Sequence, residues 1–154
     1  MKHFLTTLGI LIGIAAPSSI TARFMQPWTY QDLFAKSDFV VVAMPAAATH
    51  DTAEHSTLRD IQPNEPVVGV VTEFRTLLVL KGSPKDRFVL HHYRLEDPTP
   101  AINGPELVAF DPAKDHRPYL LFLVREPDGR FAPTGGQTDP AFLSVQQLPE
   151  PVGE

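Results

Sequence analysis

From Val67 to Leu80 the chain sets Val68, Val70, Thr72, Phe74, Thr76, Leu78 and Leu80 at strict alternation. A period of two lines up side chains on one face only when the backbone is extended, so this stretch reads as a β-strand with one face on a core. It is far longer than the usual strand of about five or six residues. A strand of that length in a small domain must bend to serve two halves of a curved sheet, and Gly69 offers the place for a bulge. Lys81-Gly82-Ser83-Pro84 supplies a turn, and Phe88-Val89-Leu90-His91-His92-Tyr93 returns as the hairpin partner.

The remaining segments are compatible with closing such a sheet. Thr29 is placed to cap a short helix in which Asp32 complements the first-turn dipole and Tyr30, Leu33 and Phe34 share a face. Phe39 to Ala43 reads as a buried strand, Leu107 to Phe110 as a short one, and Tyr119 to Val124 as a strand covered on both faces. Glu126-Pro127-Asp128-Gly129 is a turn, after which Arg130 to Pro133 and Phe142 to Leu148 return as strands. Ala46 to Pro66 is polar and reads as a long connection, and the 16 prolines fall mainly between apolar runs. The expected fold is mainly β, a small OB-like antiparallel barrel with one short N-terminal helix and long loops. It occupies residues 23–148 as a single domain, with 149–154 as a flexible tail.

Met1-Lys2-His3, an uncharged run from Phe4 to Ala16, and Pro17-Ser18-Ser19-Ile20-Thr21-Ala22 follow the three-part pattern of a secretory signal peptide. The apolar run is shorter than the about 20 residues needed to span a bilayer. Residues 1–22 are therefore expected to be removed, leaving a secreted or periplasmic chain that begins at Arg23 and has no membrane anchor. The absence of cysteine excludes a lipid-anchored N-terminus, disulfides and thiol chemistry. A formal charge of −5 without a basic run argues against nucleic acid as a partner.

Three pieces in order, Ser37-Asp38-Phe39-Val40-Val41-Val42, Val79-Leu80-Lys81-Gly82, and Tyr119-Leu120-Leu121-Phe122-Leu123 before Asp128-Gly129, carry a resemblance. Together they resemble the netrin-like, or tissue-inhibitor-of-metalloproteinases-like, OB-fold domains. The full order of segments over residues 28–148 is similar to a group of exported bacterial proteins built on that pattern. The resemblance implies a barrel and a binding role. Metalloproteinase inhibition does not come with it, because that activity uses an N-terminal cysteine to chelate zinc and this chain has none.

Two clusters carry candidate chemistry. His50, Asp51, Glu54 and His55 place four metal-ligating side chains within six residues, suited to a divalent metal, although not at the spacing of a helical His-Glu-x-x-His site. Thr134, Gly135, Gly136, Gln137 and Asp139 form a glycine-containing segment whose amides could approach a ligand. His91 and His92 are adjacent on a strand and must face opposite sides. No serine stands in a Gly-x-Ser-x-Gly elbow. The reading is an exported, non-catalytic binding module for an envelope protein or glycan, without a cofactor, whose two clusters share one rim of the barrel. The alternative is a metal-binding protein or metal-dependent hydrolase using His50 to His55. The mass of the exported protein should correspond to a chain starting at Arg23; retention of the Phe4 to Ala16 run would overturn the signal-peptide reading.

Overall fold

The computed structural model describes residues 28–58, 65–97, 107–114, 117–137 and 143–149. The expected signal peptide, the expected start at Arg23, Asp139 and most of the expected tail lie outside the described residues. One helix, α1 (Tyr30–Lys36), precedes seven strands: β1 (Phe39–Pro45), β2 (His50–Leu58), β3 (Glu65–Lys81), β4 (Arg87–Leu95), β5 (Tyr119–Arg125), β6 (Phe131–Pro133) and β7 (Val145–Gln147). The order β1-β3-β4-β6-β5 returns to β1 through the β1–β5 pairing, giving a closed five-stranded, OB-like barrel. All its ladders are antiparallel except β4–β6, which meet at the single parallel bridge Leu90–Phe131. β2 adds to β3 and β7 to β5.

The long strand divides its work as its length requires. On one edge β4 follows it from Val67 to Arg75; on the other, β2 pairs with its first half and β1 with its second. The hairpin expected from the turn at Lys81 is present, with Phe74 opposite Phe88. The inward face does not run unbroken to Leu80. Ala43 faces Thr76 while Val42 faces Leu78, so Leu77 is an inserted residue, and a second slip inserts Leu80 between the Val41–Val79 and Val40–Lys81 pairs. One inserted residue transfers the following side chains to the opposite face. Val79 therefore packs on the core in place of Leu78, while Leu78 and Leu80 are 55% and 48% exposed.

Phe74 lies at the centre of the barrel, stacked on Phe88 with centroids 5.6 Å apart and edge-on to Phe110 at 5.0 Å. Phe39 packs against both Phe88 and Phe131, and Leu90, Leu121 and Leu123 fill the space between these rings. A second cluster lies outside the barrel wall, where Leu33 of α1 covers Val40 and Phe122. Thr29 caps α1 as expected, its hydroxyl accepting the Asp32 N–H at 3.1 Å. Tyr30 and Phe34, read as part of the helix's buried face, remain exposed, because so short a helix rests on the wall through Leu33.

Two further expectations are corrected. The polar segment after Ala46 is not a loop throughout, since His50–Leu58 forms β2. It is a peripheral strand held by its backbone ladder to β3, with little buried on either face, so it carries no apolar alternation to read. Leu107 to Phe110 forms no strand, yet Phe110 is buried in the core.

His92 points into that core beside Phe110, with Nε2 2.9 Å from the Thr72 hydroxyl, which is itself 2.7 Å from the Thr49 hydroxyl. Its Nδ1 has no hydrogen bond of good geometry, only a marginal contact with the Val108 backbone. Burial pushes the imidazole down to about 4, with the Val108 backbone opposing the shift and the neighbouring His91 adding to it. In the unfolded chain the same ring titrates near 6.5. Below pH 6.5 the unfolded state takes up the proton first, so stability should fall as pH drops from 6.5 to about 4, by about 3 kcal/mol in all. Urea unfolding at pH 7 and pH 5 measures this; equal stabilities in the wild type, or an undiminished loss in His92→Leu, would contradict it.

Candidate functional site

The site begins with an irregularity in β2. Asp51 stands opposite Val70 and His55 opposite Val68, so Thr52, Ala53 and Glu54 bulge out against Gly69. The Thr52 hydroxyl fastens the bulge by donating to the Gly69 carbonyl at 2.8 Å and accepting the Glu54 N–H at 3.2 Å. Gly69 is required here for space. A Cβ at this position would lie 2.8 Å from Thr52 Oγ1, 3.0 Å from Glu54 Cβ and 3.2 Å from His91 Nε2. The bulge brings the Glu54 carboxylate over the outer face of β4.

On that face stand His91 and Tyr93, while His92 turns inward as alternation demands. The Tyr93 hydroxyl donates to Glu54 Oε1. From the other side the β5–β6 turn, closed by the Gly129 N–H on the Glu126 carbonyl, presents Glu126, whose carboxylate oxygens lie 2.8 and 2.9 Å from His91 Nδ1. His91 Nε2 is 3.2 Å from Glu54 Oε2, but the angle is not that of a hydrogen bond, so this contact is electrostatic. Arg130 completes the cluster, with Nε 2.6 Å from Asp128 and 3.4 Å from Glu126, and Nη2 3.6 Å from Glu54. Gln137 bridges in, its side chain accepting the Tyr93 N–H at 3.2 Å.

The shared proton donor explains the electrostatics. The Tyr93 hydrogen bond holds the Glu54 carboxyl below its ordinary value, with the charges of His91 and Arg130 adding to the effect. Burial, then the bond to Glu54, raises the Tyr93 phenol to about 12. Tyr93 thus stays protonated and Glu54 ionised at neutral pH. Glu54, Tyr93, His91, Glu126 and Arg130 form a network joining β2, β4 and the β5–β6 turn.

Beside it an open groove of about 330 Å³ runs between Lys85, Phe88 and Val89 on one side and Asp128 to Phe131 on the other. Lys85 Nζ sits 5.6 Å above the Phe131 ring, and the Arg130 guanidinium is pinned by Asp128. A cation over an aromatic ring, next to the backbone of Gly129, makes this an open surface with both charged and apolar character.

Of the residues singled out from sequence, Glu54, His91 and Gln137 meet in this cluster, and the other described ones make their contacts elsewhere. Of His50, Asp51, Glu54 and His55, only Glu54 enters the cluster. Asp51 is engaged by Arg94, with Nε 2.9 Å from Oδ1, His55 lies 3.5 Å from Glu96, and His50 is exposed. Among the described residues no three His, Asp or Glu side chains are grouped to hold a metal ion. In the glycine segment, the amides of Thr134, Gly135 and Gly136 donate to the Phe122 carbonyl, the Ser144 hydroxyl and the Pro133 carbonyl. They are occupied internally and form no anion nest, whereas Gln137 reaches the cluster. Tyr93, Glu126, Asp128 and Arg130 were not anticipated. Strand alternation does put Tyr93 on the face of His91, and the turn at Gly129 does fold Arg130 back toward Glu126, so part of the signal was in the sequence.

Comparison with protein-family models, curated proteins and solved structures finds no match. Gly69→Ala should destabilise the protein by about 1–3 kcal/mol, as overpacking does, because Thr52 is locked by its own hydrogen bonds and His91 is buried. Chemical denaturation reads this directly; an unchanged midpoint would show that the β2 bulge yields freely.

Proposed function

We propose that this chain is an exported, non-catalytic binding module that captures an envelope protein or glycan in the groove between β4 and the β5–β6 turn. The groove itself carries the reading: Lys85 over Phe131, an exposed Val89 and the pinned Arg130 offer charge and apolar contact on one open surface. A rigid barrel presenting a turn beside a strand is the usual arrangement for recognition. Export is supported by Lys2, the uncharged run from Phe4 to Ala16 and the small-residue exit at Ala22.

The neighbouring polar network serves this reading as a brace. Glu54 is engaged by Tyr93, His91 and Arg130 together, and His91 by two carboxylates, so these groups are spent on one another. Pinning the turn keeps the groove's far wall in place.

The test is NMR titration of the isotope-labelled mature protein with fractionated envelope extract. The amides of Val89, Gly129 and Arg130 should shift in a fraction that binds, and Lys85→Glu with Val89→Asp should abolish the shifts while the melting temperature stays within about 2 °C of the wild type, as a near-neutral surface change predicts. Shifts confined to another face, or undiminished in the double variant, would move the site elsewhere.

A further inference from the structure

We propose that His91 is a proton-operated clasp: a second proton on its ring fastens the β2 bulge to the network that braces the β5–β6 turn, and loss of that proton releases the bulge. The inference rests on the polar network alone, whatever the groove binds. Its basis is a buried imidazole with a carboxylate at each nitrogen, supplied from opposite sides. Nδ1 lies 2.8 and 2.9 Å from the Glu126 oxygens of the turn, and Nε2 lies 3.2 Å from Glu54 Oε2 of the bulge. The ring is buried and Nε2 has no hydrogen-bond partner.

A neutral imidazole carries one N–H, and an ionised carboxylate can only accept. The proton therefore sits on Nδ1, where Glu126 is in bonding position, and Nε2 turns a lone pair toward Glu54. Away from water, a lone pair held against a carboxylate is repulsive, because little solvent screens it. A proton on Nε2 reverses the sign, since the ring becomes a cation flanked by two anions. The local charge count favours that state: the carboxylates of Glu54, Glu126 and Asp128 all face one guanidinium, that of Arg130. The two forms of the ring differ in a single connection, the one from β4 to β2.

The surrounding groups keep their own charge states. From β2, Glu54 is held below its ordinary value chiefly by the Tyr93 hydrogen bond. From the turn, Asp128 is held low chiefly by the Arg130 N–H, Arg130 remains a guanidinium, and Glu126 supplies the second carboxylate. On β4, burial first of all raises the Tyr93 phenol to about 12 and lowers His92, on the core side, to about 4. β3 presents only uncharged Gly69 and Val71 beside the ring. Histidine is the side-chain type whose charge ordinarily changes between about pH 5 and 8, which makes His91 the responsive member of the cluster. The clasp opens as pH rises, the reverse of His92, whose protonation disturbs the core as pH falls.

The test is amide hydrogen exchange by NMR on the folded protein at pH 5.5 and pH 8, corrected for the intrinsic rates. Protection of the Glu54 N–H, which is bonded to the Thr52 hydroxyl, should fall at least fivefold at the higher pH and should follow the titration of the His91 ring read from its Hε1 shift. The Gly129 N–H, bonded to the Glu126 carbonyl on the Nδ1 side, should lose less. In His91→Gln, protection of the Glu54 N–H should be equal at the two pH values. Should that buried variant fail to fold, Glu54→Gln decides, because its exposed side chain can lose its charge without unpacking the core, and the amide at position 54 should then ignore pH. Equal protection of the wild type at both pH values, an equal fall at Glu54 and Gly129, or a pH response that survives Glu54→Gln would each overturn the proposal.

Discussion

The fold depends on a single strand being longer than the barrel it helps to build. Glu65–Lys81 pairs with β4 on one edge and with β2 and then β1 on the other, so the three longest ladders among the described residues all run along it. To do this on a closed surface it must twist and change register, and the two inserted residues at Leu77 and Leu80 accomplish that. The consequence is chemical as well as geometric. The same insertions that let Val79 reach the core expel Leu78 and Leu80 into solvent.

The other half of the strand supports a different kind of structure. At Gly69 the absence of a side chain leaves room for three residues of β2 to bulge across the sheet, and their arrival places Glu54 above His91. A histidine buried against two carboxylates is tolerable only where charges balance and hydrogen bonds are made. Tyr93, Arg130 and Gln137 supply that balance, and in doing so they tie an outlying strand and a distant turn to β4. The groove owes its shape to this tie, because Asp128, Gly129 and Arg130 form one of its walls.

The two adjacent histidines show how strand alternation converts sequence neighbours into unrelated parts. His92 is neutral, buried among aromatic rings and bonded to Thr72. His91, one residue earlier, belongs to a network of charges on the outside of the barrel.

How much was legible beforehand follows from the range of each interaction. Helix capping at Thr29, the turn at Gly129, the alternation of Val68 to Phe74 and the apolar run from Tyr119 are local patterns, so the sequence alone determined α1, the hairpin, the β5 strand and the mainly β, barrel-like class. β2 escaped notice because a peripheral strand exposed on both faces is held by backbone pairing, which side-chain patterns do not report. Where the alternation of β3 breaks was equally hidden, since a register slip is set by the curvature of the partner strand β1. The site was half visible: Glu54, His91 and Gln137 were singled out, and the segments that hold Glu54 and Gln137 were expected on one rim, but their neighbours in those segments were expected to carry the chemistry. Only tertiary structure could bring Glu54, His91, Glu126 and Arg130 within ionic contact, because charges distant in the chain interact according to their separation in space, and that separation is decided by how the barrel closes.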